Sequence, residues 1–244
     1  MSEIVFLKRT LTFLNRVIAK HDLIRDGEKI LTAVSGGIDS LVLMDILLQY
    51  SNRYRKNLQL LAYHLNPGFP GWKTEALKKF FEHRQIEYLI DNVDIYTKLN
   101  SLKKSICYFC ARERRKKLFE VAQKYEIKKI AFAHHMDDVN ETYILNLMYS
   151  ANASTFVIKQ GFFPNKTGEV LFYIIRPLYY FDKDHIKKYA KYFNIKPVKN
   201  LCPFEKTNER MEVRKFLQKM YKKDPQIRSN IFWGIKNIKL NYLP

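Results

Sequence analysis

This chain of 244 residues has few cysteines and no long apolar run. Its three cysteines, Cys107, Cys110 and Cys202, are an odd number without a secretory signal, which argues against a disulfide framework. No apolar stretch reaches the roughly 18–20 residues that a membrane-spanning helix needs, and Arg9 and Arg16 interrupt the start of the chain. Internal repeats and flexible linkers are also missing. We therefore expect a compact, soluble, cytoplasmic protein that spans no membrane.

Acidic residues are scarce relative to basic ones. The chain has 43 Lys and Arg against 24 Asp and Glu, a formal net charge of +19. A soluble domain needs a net charge of only about 2–8 in magnitude, so the excess indicates a polyanionic partner, either nucleic acid or an anionic membrane surface. Residues 151–244 carry +12 of this charge and are the stronger candidate for binding that partner. The alternative is a set of solvated lysine-rich helix faces, of which Lys187 and Lys188 are an example.

Hydrophobic residues make up 47% of the chain, which excludes a disordered or collagen-like protein. An amphipathic helix over residues 3–22 precedes short apolar strands that alternate with helices, a pattern that predicts parallel βαβ units and a doubly wound α/β sheet. We expect an N-terminal helix (1–25), a core (26–150) and a basic, mostly helical segment (151–244). The predicted strands are 29–34, 58–64, 86–90 and 128–133, with a hairpin-like stretch at 171–178. The later helices are predicted at 41–48, 72–84, 111–125, 138–149, 183–193, 207–222 and 226–238.

A glycine-containing loop links the first strand to the second helix. Its sequence is Ser35-Gly36-Gly37-Ile38-Asp39-Ser40. Paired glycines let the backbone turn tightly and direct successive N–H groups at one anion, and the start of the helix adds a partial positive charge. The loop lacks the Lys-Ser/Thr ending of a Walker A loop, so it predicts a phosphate site of another kind. The alternative is an ordinary turn that uses glycine for sharpness.

Two aspartates follow the strand predicted at residues 128–133, in the sequence His134-His135-Met136-Asp137-Asp138. Carboxylates at the carboxyl end of a parallel strand can hold Mg²⁺, and Asp39 is expected to face the same crevice. Asp39, Asp137 and Asp138 are therefore the candidate catalytic residues. The alternative for Asp137 and Asp138 is helix capping, and we expect one of the pair to cap and the other to act in catalysis.

The spacing Cys107-x-x-Cys110 suggests metal or redox chemistry, with two thiols that happen to lie near a helix start as the alternative. The spacing does not distinguish zinc from an iron–sulfur cluster, because three cysteines and a histidine also make a legitimate zinc site. Three arginines follow the motif and are expected to lower the pKa of the thiols: Arg112, Arg114 and Arg115.

The glycine-containing loop resembles the PP-loop of the N-type ATP pyrophosphatases. Further motifs follow it in the order seen in tRNA 2-thiocytidine synthetases, the TtcA family, which the chain resembles from about residue 30 to about residue 238. They are Pro67-Gly68-Phe69-Pro70, Cys107–Arg115, Ala133–Thr142, Ile175-Arg176-Pro177-Leu178 and Asn200-Leu201-Cys202. One position departs from the pattern. Ile38 stands where TtcA proteins commonly carry lysine, which leaves one positive charge near the phosphates unaccounted for.

The resemblance implies an ATP-dependent tRNA sulfurtransferase. ATP would adenylate the C2 oxygen of cytidine 32 in the anticodon loop, and sulfur would replace that oxygen to give 2-thiocytidine. Mg²⁺ would bind with the ATP, and sulfide or a cysteine desulfurase would donate the sulfur. A homodimer is compatible with the resemblance. The implied ATP-binding residues are Ser35, Gly36, Gly37, Asp39 and Ser40, and the implied ligands of a [4Fe–4S] cluster are Cys107, Cys110 and Cys202.

Other functions stay open at this point. A 2-thiouridine or lysidine synthetase would use the same adenylation chemistry, and lysidine formation would need no cluster. A protein of another class, a non-catalytic RNA-binding protein stabilised by a metal, would release neither pyrophosphate nor AMP. All of these act on RNA, so the motifs favour nucleic acid over a membrane surface as the polyanionic partner.

Overall fold

The computed structural model describes residues 2–100, 102, 106–163, 169–199, 201–204 and 209–242, so Asn200 of the last motif lies outside the described residues. Its helices are α1 (Glu3–Lys20), α2 (Ile38–Tyr54), α3 (Glu75–His83), α4 (Tyr96–Asn100), α5 (Ile106–Lys124), α6 (Met136–Ser150), α7 (Lys183–Tyr192), α8 (Glu209–Lys223) and α9 (Gln226–Gly234). Its strands are β1 (Lys29–Ala33), β2 (Gln59–Asn66), β3 (Glu87–Asn92), β4 (Lys129–Ala131), β5 (Lys159–Phe162) and β6 (Phe172–Ile175). Within the described ranges, no helix is long and apolar enough to cross a membrane.

The six strands form one sheet in the order β3-β2-β1-β4-β6-β5. Neighbouring strands are parallel except for β5 and β6, which are antiparallel. From β1 the chain first adds β2 and β3 on one side, and then β4 and β6 on the other, so the direction of winding reverses between β1 and β4. The predicted doubly wound α/β sheet is confirmed. Such a reversal point is where ligands bind in sheets of this kind.

Helices cover both faces of the sheet, so the central strands β1 and β4 bury apolar side chains on both sides. Consecutive residues of β1 point to opposite faces: Ile30 packs in the cluster that includes α1, α2, α3 and α7, whereas Leu31 packs in the cluster that includes α5. The helix α1 is fixed to α7 by polar as well as apolar contacts. The ring of Phe6 stacks on His185 at 4.8 Å, and the Thr10 hydroxyl lies 2.9 Å from the same imidazole.

The stretch predicted as a hairpin at 171–178 is instead a single strand, β6. It pairs in parallel with β4 and antiparallel with β5. Pro177 has no N–H to donate, and Arg176 turns its guanidinium to the carbonyl of Val157, so the strand ends here without folding back on itself. The sequence pattern does not predict β5, because Lys-Gln-Gly-Phe has no apolar alternation. The sheet therefore continues beyond residue 150.

Several helices end at a residue that is not glycine but has a left-handed backbone conformation. These residues have φ between 43° and 55° and are Asp22, Arg55, Gln85, Glu126, Ala151 and Asn194. In four of these turns the next residue is buried and apolar: Leu23, Ile86, Ile127 and Ile195. The N–H of that residue reaches back five positions to a helix carbonyl, as Ile127 N does to Ala122 O at 2.8 Å. This is the hydrogen bond of a Schellman ending, and it aims the chain at the next strand or loop.

A buried carboxylate joins three helical segments. Asp45 of α2 accepts hydrogen bonds from Arg84 Nε, just after α3, at 2.6 Å and from the Tyr189 hydroxyl of α7 at 2.7 Å. The side chain of Asp45 is 4% exposed. A charge so far from water is tolerated only when it is paired and hydrogen-bonded. The contact therefore holds α7 on α2 across 144 residues of sequence.

We expect Asp45→Ala to lower the free energy of unfolding by about 3–5 kcal/mol, because Arg84 and Tyr189 would keep buried donors without an acceptor. Urea denaturation followed by circular dichroism measures the change. Glu120→Ala, which breaks the exposed ion pair with Lys117 at 2.7 Å, is the control and should change stability little. Equal losses in the two variants would contradict the structural role of the buried carboxylate.

Candidate active site

The turn between β1 and α2 is fixed by its own side chains. Ser40 Oγ donates to the Gly37 carbonyl at 2.8 Å and accepts from Ser35 N at 3.2 Å. Gly36 has a φ of 88°, and its carbonyl accepts from Val198 N at 2.9 Å. A Cβ at this position would lie 3.4 Å from Val198 Cβ in a conformation that side chains rarely adopt, so glycine is required. The turn is therefore preformed, and the free N–H groups that begin α2 follow it directly.

A cavity of about 410 Å³ opens at the carboxyl ends of β1 and β4. Its walls come from the turn after β1, from β2, from α5 and from the segment between β4 and α6. The predicted site residues that line it are Ser35, Asp39, Ser40 and Asp138. Gly36 and Gly37 complete the adjoining turn, whereas Asp137, Cys107, Cys110 and Cys202 are not among its lining residues. The cavity also contains Arg114 and Arg115 of α5, so three of the sequence motifs meet here.

The two aspartates at the start of α6 have different surroundings. Asp138 Oδ2 accepts from His135 N at 3.0 Å, which caps the helix, and Asp138 also lines the cavity. Asp137 points elsewhere: its Oδ2 accepts from Lys183 N at 2.9 Å, and its Oδ1 lies 3.2 Å from Arg228 Nε. The cap and the cavity position thus belong to the same residue, and Asp137 ties α6 to α7 and α9.

His135 lies between the carboxylates and balances their charge. Its Nε2 is 3.3 Å from Asp138 Oδ2 and 3.7 Å from Asp39 Oδ1. Burial alone would lower the pKa of His135, but the bond to Asp39 and the charge of Asp138 raise it above its usual value. Burial likewise opposes ionisation of Asp39, yet His135 and Lys183 lower the pKa of Asp39 to about 2. The result is an ionised Asp39 in a mostly buried position.

The neighbouring histidine behaves in the opposite way. Burial lowers the pKa of His134 to about 4, although the charge of Asp138 opposes this shift. Its Nδ1 lies 3.3 Å from Arg176 Nε, and its ring stacks on Phe132 at 5.5 Å. Neutral His134 therefore forms part of the packed wall, while His135 is the charged partner of the aspartates.

The three cysteines lie beside the cavity at the start of α5 and in the segment after α7. Cys107 is exposed, and Cys110 and Cys202 are half-buried against one apolar cluster. Burial raises the pKa of the Cys110 thiol, Arg114 opposes this, and the negative charges of Cys202 and Cys107 raise it further. Arg114 thus lowers the pKa of Cys110 as predicted, but burial has the larger effect and leaves this pKa above its usual value. In the described part of the chain, no three His, Cys, Asp or Glu side chains are gathered as a metal-binding group.

Sequence reasoning missed two cations at the site. Lys183, the first residue of α7, forms an ion pair with Asp39 through its Nζ. Arg228 of α9 contacts Asp137 and also pairs with Asp184 at 2.8 Å. Both look like ordinary solvated cations in a basic sequence, and only the long-range contact identifies them.

We expect the two histidines to affect stability oppositely with pH. The raised pKa of His135 stabilises the fold below its usual value of 6.5, and this is lost as pH rises through the folded-state pKa. The lowered pKa of His134 destabilises the fold as pH falls from 6.5 towards about 4. Relative to the wild type, His135→Gln should therefore lose more free energy of unfolding at about pH 6 than at about pH 8.5. The free energy of unfolding of His134→Gln should instead rise relative to that of the wild type as pH falls. Urea curves recorded in EDTA across this range test this, and parallel profiles for the two variants would contradict it.

Comparison with known proteins adds a family to this geometry. A family model described as a PP-loop domain matches residues 7–220. The tRNA-cytidine(32) 2-sulfurtransferase of Acinetobacter baumannii is 31% identical over 97% of this chain and 78% of its own length. The protein of the same name from Hahella chejuensis is 30% identical over 93% of this chain and 80% of its own length.

Among solved structures, the U34-tRNA thiolase NcsA from Methanococcus maripaludis with its [4Fe–4S] cluster is similar over 99% of this chain and 81% of that chain, with a TM-score of 0.78 and 25% identity. An NAD⁺ synthetase from Burkholderia pseudomallei, at a TM-score of 0.50 and 13% identity over 91% of each chain, shares the fold alone. The order of motifs, the fold and the relatives agree: the chain belongs to the PP-loop domain family and, within it, to the family of tRNA-cytidine(32) 2-sulfurtransferases.

Proposed function

We propose that this chain is an ATP-dependent tRNA sulfurtransferase that converts cytidine 32 of the anticodon loop to 2-thiocytidine. One observation carries the proposal: a single cavity joins the preformed turn at Ser35 and Ser40, the carboxylates of Asp39 and Asp138, and the basic face of α5. The same helix, α5, carries Cys107 and Cys110 near its start. The names of the relatives support tRNA and its cytidine 32 as the substrate.

The reaction has two balanced steps. The C2 oxygen of cytidine attacks the α-phosphorus of ATP, an O–P bond forms, and the bond to pyrophosphate breaks. Sulfur at the oxidation level of sulfide then attacks C2, a C–S bond forms, and the C2–O bond breaks so that AMP leaves with the original oxygen. Neither step requires an oxidant or a reductant. Arg114 and Arg115 line the cavity and would stabilise the charge on the phosphates.

Two carboxylates are suited to a divalent cation. Asp39 and Asp138 both line the cavity, and His135 lies within 3.7 Å of each. They would hold Mg²⁺, which prefers carboxylate oxygens and would neutralise negative charge on the phosphates of a bound nucleotide. The low pKa of Asp39, about 2, keeps this carboxylate ionised and ready for a cation at neutral pH.

The cysteines fit an iron–sulfur cluster by the chemistry of their donor set. The charges of Cys107 and Cys202 both raise the pKa of Cys110, so the three thiols lie in one region of the molecule. These residues would hold a [4Fe–4S] cluster, which would supply sulfur at the oxidation level of sulfide. The chain has three cysteines in total, so none is left to carry a persulfide. The sulfur would then come from outside, as sulfide or from a cysteine desulfurase.

We place the tRNA on the basic C-terminal part, residues 151–244. Exposed lysines on α7 and α8 provide contacts for phosphates: Lys187, Lys188, Lys191, Lys215, Lys219, Lys222 and Lys223. Tyr180 and Trp233 stack at 5.8 Å, Lys236 lies over both rings, and Trp233 is 50% exposed. An exposed aromatic ring beside a cation suits an unstacked base. Since Lys183 at the start of α7 pairs with Asp39 of the cavity wall, this surface can guide an anticodon loop towards the cavity.

Thiolation of uridine is the second candidate. The similarity to a U34-tRNA thiolase supports it, because adenylation and sulfur transfer are the same for either base. Mass spectrometry of nucleosides from tRNA treated with the anaerobically reconstituted protein distinguishes 2-thiocytidine from 2-thiouridine and from lysidine.

We expect the wild-type protein to release pyrophosphate and AMP only when tRNA is present. Asp39→Asn should lower kcat/KM for ATP on the order of 100-fold, because it removes a negative ligand for the cation on the phosphates. Asp26→Asn is a matched control, since Asp26 precedes β1 at the opposite end of the strand and bonds Asn57 N at 2.9 Å. Release of neither product by the wild type would favour a binding protein over an enzyme.

We expect Cys202→Ala to separate the two steps. The variant should lose the iron chromophore and thiolation together, because only two thiols remain and they are too few to hold the cluster. It should keep tRNA-dependent pyrophosphate release, since Cys202 does not line the cavity. Visible absorption, nucleoside mass spectrometry and a pyrophosphate assay on one preparation give the three readouts. Retained thiolation would refute the role of the cluster.

A further inference from the structure

The phosphate turn of this chain carries no cation of its own. Residues 35–40 contain neither Lys nor Arg, and Ile38 packs its side chain partly into the apolar cluster around α2. The only charge within these six residues is the negative one of Asp39, and Asp138 adds a second at the same cavity. A polyphosphate entering here meets two carboxylates beside the turn, whereas Arg114 and Arg115 line the cavity from α5. A further cation beside the turn itself must come from another element of the fold.

Lys183 is positioned to supply that charge. Its Nζ forms an ion pair with Asp39 Oδ1 in the first turn of α2, and its side chain is 26% exposed. Asp39 lines the cavity, so the ammonium contacts a residue of the cavity wall. Its backbone N–H donates to Asp137 Oδ2 at 2.9 Å. The residue is therefore held at both ends by carboxylates of the site.

The helix that carries Lys183 is fixed in place. Asp182 caps α7 by accepting from His185 N at 2.7 Å, and the Tyr189 hydroxyl donates to buried Asp45 of α2. These contacts set the distance between the start of α7 and the start of α2. Lys187, one turn further along α7, is exposed instead. The contacts that fix α7 thus place Lys183 beside Asp39, a position that Lys187 does not share.

We propose that Lys183 is a phosphate-binding residue of the ATP site, contributed by α7 in place of a cation within the turn. In the free protein its ammonium neutralises Asp39. When ATP enters, the ammonium transfers to a β- or γ-phosphate oxygen, and Asp39 becomes available to the cation that accompanies the nucleotide. A compact ammonium on a flexible stem suits this exchange between two oxygen partners. The inference rests on the proposed ATP-dependent function and adds a residue to it.

The test compares nucleotides that differ in their phosphates. Isothermal titration with Mg-ATP and with AMP is made on the wild type, Lys183→Met, Lys183→Arg and the control Lys79→Met, which changes an exposed lysine of α3. Lys183→Met should weaken ATP binding about tenfold or more, roughly one charge-assisted hydrogen bond, and change AMP binding less than about twofold. Lys183→Arg should stay within about threefold of the wild type, and Lys79→Met should bind both nucleotides as the wild type does.

A relocated charge provides the decisive variant. Adding Ile38→Lys to Lys183→Met places an ammonium inside the turn and should restore most of the ATP affinity. Unchanged ATP affinity in Lys183→Met, equal losses for ATP and AMP, or a double variant as weak as Lys183→Met would each overturn the assignment. If the wild type itself neither binds ATP nor releases pyrophosphate, the proposed function fails; a fully active wild type with an unaffected Lys183→Met refutes the inference alone.

Discussion

The parallel pairing of β1 with β4 is the constraint on which the site depends. Thr32 lies opposite Ala131, so the segments that follow the two strands leave the sheet side by side. The chain winds away from this junction in both directions, so a crevice forms at the carboxyl ends of the two strands. Asp39 and Asp138, which are 99 residues apart in sequence, face one cavity for this reason. The local motifs supply the chemistry, but the strand order supplies their proximity.

Charge balance is the second condition for such a site. Asp39, Asp137 and Asp138 would repel one another and a nucleotide if they were left unpaired. His135 lies among them, Lys183 pairs with the first, and Arg228 pairs with the second. The cations come from α7 and α9, which belong to the basic C-terminal part of the chain. Some of the charge excess there is thus used inside the fold, and the exposed lysines remain for a polyanion.

The parts of the fold and site that could be predicted were those encoded locally. Ser35–Ser40 after an apolar strand and the aspartates after β4 are short patterns with a direct physical meaning, and both occur where expected. β5 could not be predicted, because Lys159–Phe162 becomes a strand only through its pairing with β6. Lys183 was equally hidden, since its partner is 144 residues away. The pKa of Cys110 depends mainly on burial, which the sequence does not show. The neighbouring arginines indicate only the smaller, opposite shift.

The left-handed helix endings bear on which substitutions the protein can tolerate. A left-handed residue other than glycine costs about 1–2 kcal/mol, yet the chain uses Arg55, Gln85 and Glu126 at such positions. Because these side chains are exposed, evolution is free to vary them, and glycine would be accepted as readily. The information that stops the helix resides instead in the following buried residue, such as Ile86 or Ile127. Drift among distant homologues should therefore be fast at the turn and slow one position later.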